Sequence, residues 1–254
     1  MTNFSGKSAV ITGGASGMGA AAVRLFTAAG GRAILVDKNR DLAQTVADET
    51  GAIAMIGDVS DSSFCNDVIA AAVANFGKLD IVINAAGIIV RSNGVGTTDE
   101  QWHRIMNVNV SGTFFMCRAA IKQMLKQTNE DSAASGSIVN FGSIWGDLGA
   151  AGVAAYCASK GAVHNLTRAL ALDHAQDNIR INAVCPGEVN TPMIQSERNE
   201  PVTPELMARL ASTVPMGRLA DPAEVARVAL FIASDEASYM TGSLVNVDAG
   251  FTAR

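Results

Sequence analysis

Short apolar runs alternate with longer segments of helical period along the whole chain. Ser8–Thr12 reads SAVIT and Arg32–Asp37 reads RAILVD, compact β-branched and aliphatic runs of strand length. Further strands are predicted at Ala52–Gly57, Leu79–Asn84, Gly136–Phe141, Ile179–Cys185 and Ser243–Val247, seven in all. Leu79–Asn84 (LDIVIN) is nearly all apolar, as a strand covered on both faces should be. Between the strands, helices are predicted at Gly17–Ala29, Asp41–Thr50, Ser62–Phe76, Thr98 to about Gln127, Ala154 to about Ala175, and Asp221–Ala233. The β-α alternation runs through without a composition break or linker. It implies a parallel sheet, helices on both faces and right-handed crossovers, hence one doubly wound α/β domain over residues 1–254. Two segments lack periodicity. Asp147–Val153 (DLGAAGV) is rich in Gly and Ala, and Asn190–Pro215 carries four prolines and the charged run Glu197–Glu200. Both are predicted as loops able to form a lid, with residues 190–215 as the substrate loop.

Composition narrows the class. With 254 residues, 48% hydrophobic and 17% charged, the chain can build a real core and is not disordered. Its 24 acidic and 19 basic residues give a net charge of −5, with no Lys/Arg cluster. That argues against nucleic acid and anionic membrane as partners. No apolar stretch reaches membrane-spanning length, and no signal peptide opens the chain. Cys65, Cys117, Cys157 and Cys185 form no C-x-x-C and no zinc spacing, so no metal site is expected. Free buried thiols point to a reducing, cytoplasmic setting.

The chemistry begins where the first strand ends. Thr12, Gly13, Gly14, Ala15, Ser16, Gly17, Met18 and Gly19 lead directly into a helix. Such glycines let the backbone turn tightly and approach a pyrophosphate, while the helix N-terminus offers free N–H groups. The spacing is T-G-x-x-x-G-x-G rather than G-x-G-x-x-G, and taken alone it is also compatible with a structural turn. Asp37 ends the second strand, placed to accept both hydroxyls of an adenosine ribose and to repel a 2′-phosphate. This favours NAD over NADP, although Lys38 and Arg40 follow closely. Asn84, Ala85, Ala86 and Gly87 end the fourth strand, where ligands of open α/β sheets bind, or where chains simply turn. Tyr156 and Lys160 are four apart on a predicted helix and share a face. A phenol is a poor base at neutral pH, and a nearby ammonium lowers its pKa. Ser143 lies just after the fifth strand, where its hydroxyl can meet that phenol.

Taken together and in order, these motifs resemble the single-domain, NAD-dependent subgroup of the short-chain dehydrogenase/reductase family over essentially the whole chain. Asp58-Val59, Asn109, Pro186-Gly187 and the Val189/Thr191 pair complete the match. The resemblance implies a Rossmann-type sheet of seven mostly parallel strands in the order 3-2-1-4-5-6-7. It implies a catalytic tetrad of Asn109, Ser143, Tyr156 and Lys160. Tyr156 would exchange the substrate proton and Ser143 would steady the carbonyl oxygen. Lys160 would lower the phenol's pKa and hold the nicotinamide ribose. Asn109 would interrupt its helix and hold a water in a proton relay. Cofactor contacts would come from Ser16, Met18, Asp58, Val59, Val189 and Thr191. Ala249 stands where the family usually has glycine.

Beyond the tetrad, Trp145 is a candidate for the substrate pocket, alongside Ser143 and Tyr156. Arg91 is read as a solvated loop residue or a contact to an anionic substrate, and His164 as a helix-packing or subunit-contact residue. The leading expectation is hydride transfer between NAD(H) and a small secondary alcohol or ketone, such as a polyol, sugar or cyclic alcohol. The alternative is a non-catalytic NAD-binding sensor or assembly module, which absence of Tyr156, Lys160 or Ser143 would have favoured. Enoyl reduction would call for a wider Tyr/Lys spacing. The family also suggests a homotetramer. Ala158, Gly161, Ala162 and Leu166 form a small, apolar stripe that faces either another subunit or the chain's own sheet.

Overall fold

The computed structural model describes residues 2–127, 136–198 and 201–253. Seven strands form one sheet: β1 (Ser8–Thr12), β2 (Arg32–Asp37), β3 (Ile53–Ile56), β4 (Ile81–Asn84), β5 (Gly136–Phe141), β6 (Ile179–Pro186) and β7 (Leu244–Val247). Their order is β3-β2-β1-β4-β5-β6-β7, and every adjacent pair is parallel. Every residue of β1, β4, β5 and β6 is buried, which explains their continuous apolar runs. The chain leaves β1 toward β2 on one side and returns to β4 on the other. The sheet therefore reverses direction between β1 and β4, and a crevice opens there at the carboxyl ends of the strands.

Helices α1 (Gly17–Ala28), α2 (Arg40–Thr50), α3 (Ser62–Phe76), α4 (Asp99–Met106), α5 (Thr113–Met124), α6 (Ala154–His174), α7 (Pro204–Thr213) and α8 (Pro222–Ala233) flank the sheet. One core holds Phe26, Leu35, Val225 and Ile232, joining α1 and α8 to the sheet. The opposite core holds Val68, Met116, Ala120 and Ile138, joining α3 and α5 to it. Local sequence sets the helix ends. Asp61 caps α3, and Gly51 and Gly77 end α2 and α3 in the left-handed conformation. Asp221 and Glu224 form a capping box at α8, with Pro222 in its first turn.

Two predicted stretches differ from expectation. The single long helix that periodicity predicts from Thr98 is interrupted, as the resemblance implies at Asn109, into α4, a π-helical segment over Asn107–Gly112, and α5. Asn109 sits in that segment and spends its side chain on the backbone of Ile88, which competes with regular helical packing. The substrate loop is not all loop, because α7 lies inside it. Thr203 caps that helix and Pro204 occupies its first turn, so a proline that reads as a breaker is an initiator. Asn199 and Glu200, the end of the charged run, lie outside the described residues, as does Arg254. Among the described residues no helix is long and apolar enough to cross a membrane, and no group of side chains is arranged to hold a metal.

Candidate active site

The β1–α1 turn can pass close to the end of β4 because glycine stands at the contact. Gly13 has φ +66°, and a Cβ there would lie 2.8 Å from the backbone of Ala85 and Ala86. A Cβ on Gly19 would run into the Gly13 carbonyl. Ser16 precedes α1 without making a side-chain cap bond, and the first turn of α1 contains no acidic residue. The first N–H groups of the helix are thus left for an anion. Ser16, Gly17, Met18 and Gly19 line a cleft whose other walls are Asp37, Asp58, Val59, Ala85, Gly87 and Thr191. The Asp37 carboxylate accepts from the backbone N–H groups of Ala15 (3.1 Å) and Asn39 (3.0 Å), which fixes it at the cleft. Lys38 is drawn to Asp58 at 2.9 Å. A turn with glycine at its close approaches, an uncapped helix start and a fixed carboxylate fit the pyrophosphate and ribose of a dinucleotide.

Asn84 departs from its predicted place as a cofactor contact. It is buried, and its amide donates to Asn140 Oδ1 (2.9 Å) and Cys117 Sγ (3.3 Å). Asn140 in turn donates to Thr167 (2.9 Å). As the last β4 residue, Asn84 alternates inward while Ala85 to Gly87 line the cleft.

The catalytic candidates converge at a second cavity. Ser143, Tyr156 and Lys160 line it, together with Trp145, Pro186, Gly187 and Val189. Met18, Ala85, Gly87, Thr191 and Met193 line both spaces, so the two abut. Tyr156 and Lys160 project from the sheet-facing side of α6, and both are buried. Lys160 Nζ donates to the Phe141 carbonyl at 2.7 Å and sits 5.7 Å from the centre of the Tyr156 ring. Burial pushes the Tyr156 phenol up to about 12, opposed by the Ser143 hydroxyl. Burial pulls Lys160 down to about 8. Ser143 and Arg91 lower the phenol's pKa by less than burial raises it, and the Lys160 ammonium is engaged by the Phe141 carbonyl. Asn109 is 1% exposed; it holds both the N–H and the carbonyl of Ile88 and donates to Ser159 Oγ (3.0 Å). Gly87 lies over it and over Lys160.

His164 packs within the fold, one of the two readings its sequence position offers, and it also holds the loop of Ser143. Its ring is 1% exposed and packs against Gly142 and Gly146 in the loop that carries Ser143. Nδ1 faces Asp147 Oδ1 at 3.1 Å, while Nε2 accepts from the Ser143 backbone N–H (3.4 Å) and lies 3.3 Å from Cys185 Sγ. Since Ser143 can only donate at that nitrogen, the proton belongs on Nδ1, toward Asp147. Burial lowers its pKa, opposed by Asp147. Trp145 packs edge-on against Phe251, with centroids 5.3 Å apart. Arg91 is half-buried rather than a freely solvated loop residue. Glu188, Arg198 and Leu210 also line the cavity and had no sequence signal, because four separate segments build its walls. Ala249 adopts φ +55°, the left-handed region where glycine is at ease, so the departure from the family pattern costs backbone strain.

The family profile described as Enoyl-(Acyl carrier protein) reductase matches residues 13–252. The chain is 38% identical to 2,5-dichloro-2,5-cyclohexadiene-1,4-diol dehydrogenase LinX of Sphingobium indicum, over 98% of this chain and 97% of that one. It is also 38% identical to meso-2,3-butanediol dehydrogenase of Serratia marcescens, covering 98% of this chain and 96% of that one. A solved structure described as that of gox2181 superposes with TM-score 0.90 at 34% identity, covering 99% of this chain and 98% of the other. With its sheet order, its glycine turn and its Ser143–Tyr156–Lys160 constellation, the chain belongs to the short-chain dehydrogenase/reductase family.

Proposed function

We propose that this protein is an NAD-dependent dehydrogenase that transfers hydride between NAD(H) and a small secondary alcohol or ketone. The observation that carries the reading is the junction of the two cavities, with Ser143, Tyr156 and Lys160 on one side and the glycine cradle on the other. When bound, the nicotinamide ring accepts or returns the hydride. Tyr156 takes the proton from the alcohol hydroxyl during oxidation and gives it back during reduction. Ser143 donates a hydrogen bond to the same oxygen as charge develops on it. The Lys160 ammonium stabilises the phenolate, and Asn109 holds the π-helical segment against Ile88 beside it. Ser16 to Gly19 hold the phosphates, Asp37 the adenosine ribose, and Asp58 and Val59 the adenine. Pro186, Gly187, Val189 and Thr191 stand on the carboxamide side. The printed activities of the relatives, a cyclic diol and a butanediol, support a small alcohol substrate. The free cysteines favour the cytoplasm, and the family's habit favours a homotetramer.

A panel of secondary alcohols followed by NADH absorbance tests the reading. Tyr156→Phe keeps the ring and removes the proton carrier, so turnover is expected to fall at least about 100-fold while NADH still binds. Unchanged turnover in that variant would move the assignment to a binding module.

A further inference from the structure

The hydride-transfer reading leaves three charged side chains of the substrate cavity unused: Arg91, Arg198 and Glu188. The surrounding walls are mostly apolar, with Ile89, Trp145, Val153, Met193 and Leu210 among them. The space, about 270 Å³, suits a small molecule. Both guanidinium groups are anchored by main-chain carbonyls. Arg91 gives Nε to Ser196 O (3.0 Å) and Nη2 to Met193 O (3.3 Å), and Arg198 gives Nε to Ile194 O (2.6 Å). Among the described residues, no carboxylate lies within ion-pair distance of either. Of their ten N–H groups these bonds occupy three, leaving seven without an acceptor among the described residues.

The electrostatics agree with that geometry. Burial lowers the Arg91 pKa, and the like charge of Arg198 lowers it further. Burial raises Glu188, and the two arginines pull it back down. Arg91 and Glu188 both act on the Tyr156 phenol, in opposite directions, so the cluster stands within electrostatic reach of the reacting oxygen. One carboxylate offsets one guanidinium, and a unit of positive charge remains. With no carboxylate at ion-pair distance among the described residues, two half-buried guanidinium groups carry a free-energy cost that a bound anion would recover.

We propose that Arg91 and Arg198 bind a single anionic group, a carboxylate, sulfonate or phosphate, on a secondary alcohol whose hydroxyl lies against Tyr156 and Ser143. This rests on the hydride-transfer reading and names its substrate class. A latch alone would need only the three carbonyl bonds, and would not require both charges to line the cavity that holds Tyr156.

The test compares 3-hydroxybutyrate and 4-hydroxypentanoate with their uncharged methyl esters, read as kcat/KM for NADH formation. The acids are expected to exceed the esters by at least about tenfold, the scale of a charge-assisted contact. Arg198→Gln is expected to lower the acid-to-ester ratio at least about fivefold, and Glu188→Gln to raise it. A wild-type ratio near one overturns the proposal while leaving hydride transfer standing. So does an Arg198→Gln variant that weakens both series equally, which marks a latch, or a Glu188→Gln variant that lowers the ratio. If neither series is oxidised with NAD or NADP, the hydride-transfer reading fails for these alcohols, and binding decides separately. In a Trp102→Phe background, saturable quenching of Trp145 fluorescence by the acid that is weakened by Arg198→Gln supports the anion site. Equal response to acid and ester overturns it.

Discussion

Lys160 is held where an ammonium is least welcome. It is buried, its hydrogen-bond partner among the described residues is the Phe141 carbonyl, and its pKa drops from 10.5 to about 8. Between those two values the unfolded chain binds more protons than the folded one, so stability climbs with pH across that window. At pH 7 the folded protein still carries the buried charge. Lys160→Met removes it at similar volume, and should raise Tm at pH 7 by about 3 °C while turnover collapses. Calorimetry at pH 7 and at pH 10 checks this, since the gain should shrink at the higher pH. A lower Tm at pH 7 would show that the amine stabilises the fold. Asp37 offers a second prediction at this scale. Two backbone N–H groups fix its carboxylate in the cleft, and the neighbouring Lys38 is engaged by Asp58. A 2′-phosphate would meet net negative charge there. NAD should therefore be preferred over NADP by at least about tenfold in kcat/KM, or ~1.4 kcal/mol, and Asp37→Ala should narrow the gap. Equal efficiency with both cofactors would reject this role.

Single elements carry the placement of Ser143. The turn after β5 wraps around His164, a residue of α6, so strand, turn and helix are pinned by one imidazole. His164→Leu removes the acceptor for the Ser143 N–H and the donor to Asp147. The expected cost is about 1–3 kcal/mol of stability, with kcat falling more than the affinity for NADH. Equal loss in both would place the defect in the cofactor cleft instead. This is also where the sequence ran out. Strands, helix starts and the glycine turn depend on neighbours within a few residues, so period and capping residues revealed them. The His164 contacts join residues 17 to 21 apart, and the Arg91 anchors span more than a hundred. The same limit hid the inward turn of Asn84, whose partners lie on β5 and α5. Pro204 misled for the opposite reason, because a proline is punctuation whose meaning depends on whether a helix follows.

At the scale of the whole molecule, α6 settles an ambiguity that periodicity left open. Its buried residues, among them Tyr156, Lys160, Val163, His164 and Thr167, face the chain's own sheet. The small stripe lies on the other side, where Ala158 is exposed and Gly161, Ala162 and Leu166 are half-buried. Small side chains on an outward face permit close approach of a second helix. Other large apolar groups are left outside as well, with Leu172 81% exposed and Phe231 42%. In the C-terminal tail Phe251 packs on Trp145 of the same chain. The outward stripe of α6 is the surface suited to assembly. Light scattering at micromolar concentration should give about 105 kDa, four times the 26.3 kDa chain, as a closed symmetric assembly requires. Ala158→Arg places a long charged side chain on the outward face and should lower that mass without altering the far-ultraviolet circular dichroism. A monomer mass for the unaltered protein would remove the stripe's role in assembly. It would leave the site intact, because every residue assigned to it comes from one chain.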